Sequence, residues 1–217
     1  MTDDTVSSLV TPAKAWAEMV RGNERFITGA PLHPRQDVER REALVSAQEP
    51  HAALFGCSDS RLAAEIIFDK GIGDLFVVRN AGQVISDSVV GSLEYAVGVL
   101  GVPLIVVLGH DRCGAVLAAI DSQGADAVAL PPHITNLISK IVPAVTRVAA
   151  STGNQLQPEK ADSSEVGREH LRDTIAELLD SSELISDAIA AGTLAIVGAN
   201  YRLLEGRAVP DILIGNL

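Results

Sequence analysis

The chain has 217 residues, 47% apolar and 21% charged, enough for one sizeable α/β domain or two small ones. A formal net charge of −11 argues against phosphate-backbone binding, and 3% aromatic residues leave few stacking platforms for single-stranded nucleic acid. No run approaches the roughly 18 apolar residues of a membrane span, so neither nucleic acid nor a membrane is an expected partner.

The opening stretch, MTDDTVSSLVTP, has no basic region followed by an apolar core, and residues 1–11 are expected to form a disordered N-terminus. With no export signal in view, a cytoplasmic location with two reduced thiols is the expectation. Residues 12–29 place Trp16, Met19, Val20 and Phe26 at helical spacing, with Pro12 suited to a first turn and Gly29 to a stop. APLHPRQDVERR (30–41) has two prolines and no apolar period, and reads as an extended arm. A helix tethered by such an arm packs either on a neighbouring subunit or on its own domain.

Four short apolar runs follow, at 51–56, 74–79, 103–109 and 193–199. They do not alternate polar with apolar, as expected of strands covered on both faces. Helix-like segments lie between them at 60–69, 86–100, 113–123 and 162–191. The last opens with DSSE, a variant of the capping box, and sets Leu171, Ile175, Leu178 and Leu179 on one side. The stretch 121–161, with Gly124, Pro131, Pro132 and Pro143, reads as an irregular helical excursion. Strand–helix alternation of this kind predicts an α/β fold, a mostly parallel sheet flanked by helices, in a single domain over 12–217.

Ligands in such sheets bind beyond the carboxyl ends of the strands. There the first run leads into Cys57-Ser58-Asp59-Ser60-Arg61, and the third into His110-Asp111-Arg112-Cys113-Gly114. Both cysteines of the chain therefore sit at this end, each with a possible metal ligand two or three positions away. If the two strands are near neighbours, Cys57, His110 and Cys113 can converge. Two thiolates and an imidazole match the donor preferences of zinc, with the fourth place left to Asp59 or to water. A helix opening at Cys113 would help keep that thiol ionised. Asp59 and Arg61 can form a carboxylate–guanidinium pair, so Asp59 can ligate the metal or turn to Arg61 and leave a position open. An inert buried thiol and a redox pair are the competing readings of the cysteines, although cytosolic redox pairs usually stand as Cys-x-x-Cys. His33, His51, His133 and His170 lack such company and read as ordinary surface or loop histidines.

With CSDSR, FVVRNAG, GSLEYAV and VVLGHDRCGA in this order, the chain resembles the β-class carbonic anhydrases from about Trp16 to Tyr201. The resemblance implies zinc-dependent, reversible hydration of carbon dioxide to bicarbonate and a proton. One Zn2+ per chain would be held by Cys57, His110 and Cys113, with zinc-bound hydroxide oriented by an Asp59–Arg61 dyad. In a closed form Asp59 would take the fourth zinc position itself. It further implies that Gln48, nine residues before Cys57, orients substrate. Phe76, Ala81, Tyr95 and the Gly114 backbone would form a small apolar pocket for carbon dioxide. A homodimer, or a tetramer built as a dimer of dimers, is implied, with the partner's Phe76 and Tyr95 completing the pocket and helix 12–29 packing on the partner subunit. Arg79 and Tyr201 match two residues of a regulatory bicarbonate pocket found in some bacterial members, but Leu54 stands where those have tryptophan, which speaks against such regulation. Hydrolysis of carbon disulfide or carbonyl sulfide, and a bicarbonate-binding role without turnover, are the rival functions.

Overall fold

A computed structural model describes residues 10–217. The expected disordered start falls largely outside the described residues; of its last two positions, Thr11 accepts a hydrogen bond from the Lys14 amide and so caps helix α1, Pro12–Ile27. Five strands form one sheet: β1 Ala52–Cys57, β2 Leu75–Asn80, β3 Leu104–His110, β4 Ala195–Arg202 and β5 Arg207–Ile214. Their order is β2-β1-β3-β4-β5, with the first four parallel and β5 antiparallel to β4. The expected mostly parallel sheet in one domain is therefore present.

β1 and β3 are buried along their whole length, and alternate residues feed opposite cores. Ala52, Leu54, Leu104, Val106 and Leu108 join one cluster with α1, α5 (Gly114–Asp121), α6 (Pro132–Ser139) and α7 (Val142–Ser151). Ala53, Phe55, Ile105 and Val107 join the other, with α4 (Asp87–Glu94), α8 (Ser163–Ser181) and α9 (Glu183–Ala190). Fully burying a side chain such as Phe55 or Leu104 contributes about 1.5–3 kcal/mol. This explains why continuous apolar runs, and not alternating ones, form the central strands.

The structure corrects several details. Each central strand ends one or more residues later than expected, so Cys57 and His110 are themselves the last strand residues. The end of the supposed extended arm instead opens a short helix, α2 (Val38–Ala43), begun by Asp37 accepting from the Arg40 amide. Only Ala64–Ile67 of 60–69 is helical (α3). The 86–100 segment is α4 followed by one wide turn, Tyr95–Val99. The 162–191 segment breaks at Ser182, whose backbone is extended and whose hydroxyl donates to Glu94 and accepts from the Ile185 amide. β5 was not expected: Pro210 and Asp211 interrupt its apolar pattern, as an exposed edge strand tolerates.

The buried face of α1 lies against its own chain. A Cβ at Gly22 would come within 1.8 Å of the Phe68 carbonyl oxygen, and the Asn23 side chain bonds Ile67, Gly206 and Ala208. The side of the helix away from these contacts carries half-exposed Val20. Among the described residues no helix is long and apolar enough to cross a membrane.

Candidate metal centre

The sheet order places β2 on one side of β1 and β3 on the other, so strands are added in opposite directions across the sheet on either side of the β1–β3 boundary. Ligands collect in the crevice such a reversal opens at the carboxyl ends. Cys57 ends β1, His110 ends β3, and Cys113 lies directly before α5, close enough for all three to meet. Their donor atoms lie within 4.8 Å of one another, and all three residues are buried.

The two sulfurs are 4.0 Å apart. A disulfide needs about 2.05 Å, whereas two sulfurs on a tetrahedral zinc at about 2.3 Å each stand roughly 3.8 Å apart. The imidazole fits the same assignment. His110 Nδ1 bonds the Asp111 carbonyl oxygen at 2.8 Å, which requires the hydrogen on Nδ1 and leaves Nε2 with a free lone pair. That Nε2 is buried with no hydrogen-bond partner among the described residues. An imidazole nitrogen left without a partner beside two thiols is what a soft cation would satisfy, and the donor set fits zinc.

Backbone amides supply the charge balance for Cys57. Gly82 N donates to its sulfur at 3.3 Å and Asp59 N at 3.4 Å. The adjoining Cys113 thiol, the His110 imidazole and these amides pull the Cys57 pKa well down, against the opposing effect of burial. Cys113 is pushed up, because it lies beside the Cys57 thiolate and is buried, although amides of the first turn of α5 pull the other way. A divalent cation held between the two sulfurs would favour the thiolate form of both.

Asp59 stands outside this donor cluster and is engaged by Arg61. Its Oδ1 accepts from Arg61 Nε at 2.9 Å and from the Arg61 amide at 3.0 Å, and its Oδ2 accepts from Arg61 Nη2 at 2.7 Å. The Arg61 guanidinium holds the Asp59 carboxyl far below the usual carboxylate range. Arg61 also reaches the Arg112 carbonyl oxygen at 3.4 Å, tying one metal-bearing loop to the other.

The remaining sequence-selected residues are dispersed over the single chain. Gln48 is exposed, and Ala81 and Gly114 are exposed near the strand ends. Phe76 and Tyr95 meet with ring centroids 6.2 Å apart. Phe76 is in register with Ala53, four residues before Cys57, hence about 13 Å down the strand from the cluster. Leu54 is buried in the core and Tyr201 is in register with His110. Arg79 grips the carbonyl oxygens of Cys57 at 2.9 Å and Asp59 at 2.6 Å, so it braces the loop between ligand and dyad, a role the sequence did not suggest.

Sequence reasoning also missed Gly82. It adopts φ +76°, and a Cβ there would stand 2.8 Å from Ala115 Cβ and 3.1 Å from Ile141 Cδ1. Gly82→Ala is expected to lower stability by about 2–5 kcal/mol, from a left-handed penalty of ~1–2 and overpacking of ~1–3. Denaturant titration measures it; wild-type stability would mean that the turn relaxes freely. One surface expectation is overturned as well. His33 and His133 are exposed and His51 is half-buried, but His170 is buried on α8, because the apolar face of that helix includes it.

A parallel sheet with a Cys-His-Cys cluster at its switch point is the architecture of β-class carbonic anhydrases. The carbonic anhydrase family model matches residues 52–208, and the chain belongs to that family. It is 48% identical to Carbonic anhydrase 2 of Mycobacterium tuberculosis over 206 residues, covering 95% of this chain and 96% of that protein. It is 47% identical over 196 residues to a carbonic anhydrase of Mycolicibacterium smegmatis, covering 90% and 91%. Among solved structures it resembles one of two tetrameric β-carbonic anhydrases from Sordaria macrospora, at 27% identity and a TM-score of 0.63, over 78% of this chain and 84% of that one.

Proposed function

We propose that the protein catalyses the reversible hydration of carbon dioxide to bicarbonate and a proton, using one zinc ion per chain held by Cys57, His110 and Cys113. The observation that carries this reading is the orphaned His110 Nε2 facing two thiols, a soft three-donor site that leaves a fourth position to solvent. When bound, zinc acts as a Lewis acid, lowering the pKa of a water it holds from about 15.7 toward about 7 and so supplying the nucleophile.

The chain's own residues divide the remaining work. His110 is fixed in one tautomer by its Nδ1 bond, so Nε2 is always the donor atom. Arg61 keeps Asp59 ionised and acceptor-only. Oδ1 already accepts two hydrogen bonds and Oδ2 only one, so Oδ2 keeps a lone pair for the proton of the nucleophile. Holding that proton turns the nucleophile's own lone pair toward the carbon under attack. With Asp59 held by Arg61, a fourth position on the metal would be left to solvent; turned onto the metal instead, the Asp59 carboxylate would fill it. Two thiolates put negative charge on the metal, so the site acidifies water less than three neutral imidazoles would, and activity should rise above neutral pH.

The pocket for carbon dioxide is proposed to span two chains. β2 is an edge strand of the sheet, and Phe76, with the Tyr95 ring beside it, lies too far down that strand to serve its own cluster. In a homodimer, or a dimer of such dimers, the partner's Phe76 and Tyr95 would wall the site, Ala81 and the Gly114 backbone would line its mouth, and Gln48 would donate to a substrate oxygen. The exposed side of α1, with Val20, is then available to the partner subunit. Mixing Tyr95→Ala chains with Cys57→Ala chains should restore one of the two sites in each mixed dimer, about one site in four of a random mixture, since each mixed dimer pairs an intact metal site with an intact aromatic wall. Activity no higher than the sum of the two variants would place the pocket within one chain. Two free thiols fit a reducing compartment such as a cytoplasm.

Carbonyl sulfide and carbon disulfide are linear molecules that could use the same nucleophile. Turnover of all three substrates on one zinc-quantified sample tests the assignment: carbon dioxide is expected to be hydrated at least ~10³-fold faster, about 4 kcal/mol of preference. The reverse order would reassign the substrate while leaving the metal site in place.

A further inference from the structure

His170 stands opposite the metal centre, on the far side of the turn that carries Gly82. Its ring is 3% exposed, and its Nε2 lies 2.7 Å from the Gly82 carbonyl oxygen. A carbonyl only accepts, so Nε2 bears the hydrogen and Nδ1 is a bare lone pair. That Nδ1 is buried with no hydrogen-bond partner among the described residues. Burial pushes the imidazole pKa below its ordinary value, which keeps the ring neutral. A leucine or phenylalanine at this core position would avoid an unsatisfied nitrogen, so the one hydrogen bond His170 does make has to justify its presence.

That bond acts on a strained turn. Gly82 has φ +76° and the next residue, Gln83, has φ +41°, so two successive residues are left-handed and one of them carries a side chain. Thr174, one helical turn beyond His170, places its hydroxyl 3.3 Å from the Gln83 carbonyl oxygen and 2.8 Å from that of His170. One face of α8 thus meets the carbonyls of both left-handed residues, with the His170 bond to Gly82 the shorter contact. The same Gly82 donates its N–H to Cys57 Sγ.

We propose that His170 is a positioning residue for the metal site: by gripping the Gly82 carbonyl it aims the Gly82 N–H at the Cys57 sulfur and thereby limits the charge this thiolate gives the metal. The effect reaches the metal through two hydrogen bonds and one glycine, with no contact between His170 and any ligand. This inference rests on Cys57 being a metal ligand. Groups that hydrogen-bond to ligands typically change metal affinity about 10–100-fold, and a residue acting one step further out belongs at the lower end.

Cobalt(II) in place of zinc provides the test, because thiolate-to-cobalt charge-transfer bands report the electron density on the sulfur. His170→Phe and His170→Leu remove the donor, and His170→Gln restores a donor nitrogen at similar reach. Both apolar variants are expected to move the charge-transfer band to lower energy and to weaken zinc binding about 10-fold in chelator competition, with both properties returning in His170→Gln. A purely structural role would lower thermal stability and leave the band where it is. An unmoved band in the apolar variants, or an equal shift in His170→Gln, overturns the proposal. Wild-type protein that takes up cobalt without charge-transfer bands would instead remove both Cys57 and Cys113 as ligands. Should neither apolar variant fold, the His170 tautomer in wild-type zinc protein decides by nitrogen NMR: Nε2–H is expected, and Nδ1–H contradicts the account.

Discussion

Asp59→Asn is expected to keep its zinc and lose about 10²–10⁴ in kcat, the range over which a positioned proton-handling group acts. The substitution keeps the size of the side chain but replaces an acceptor-only carboxylate by a neutral amide. Arg61 then loses its bidentate partner, and nothing fixes which atom faces the nucleophile. Zinc content should not fall, because Asp59 stands outside the donor cluster. Turnover with metal content measured on the same sample separates the possibilities. Full zinc with unchanged kcat would remove Asp59 from the mechanism, and parallel loss of zinc and activity would make it a ligand first.

Cys57→Ala and Cys113→Ala should each weaken zinc binding by roughly 10²–10³-fold, taking about 10–16 kcal/mol for a four-donor site and dividing it among the donors. Activity should fall with the metal and return in part at high added zinc. Losing Cys57 also strands the Gly82 and Asp59 amides that its sulfur accepts, so that variant should be the less stable of the two. Metal analysis after gel filtration, with denaturant unfolding of the same protein, reads both effects. A Cys57→Ala protein with full zinc occupancy would contradict the ligand set.

The cysteine cluster was legible because its parts end continuous apolar runs. A buried parallel strand announces itself by lacking alternation, and the carboxyl end of such a strand is where ligands gather. The convergence of β1 and β3 depended on their adjacency, which the runs alone leave open and the sheet order supplies. The break at Ser182 was illegible for a different reason. No glycine or proline marks it, and the serine is drawn out of the helix by Glu94, 88 residues away. β5 lacks a continuous or alternating pattern because an edge strand with one covered face can hold Pro210 and Asp211. The supports of the site escaped for the same long-range reason. Arg79 reads as a charge at the end of β2, and His170 as one polar residue on a polar-rich helix. Only the tertiary fold brings the first onto the Cys57 carbonyl and the second onto Gly82. The glycine in FVVRNAG was visible, but nothing local told that its amide would point at a sulfur.

The most direct test of the central claim is stopped-flow carbon dioxide hydration from about pH 6.5 to 9.0, on protein whose zinc has been counted in the same sample. The account predicts turnover proportional to zinc content and rising above neutrality, since two thiolates make the site a weaker acidifier of water. No turnover at any pH with one zinc per chain in place would contradict it.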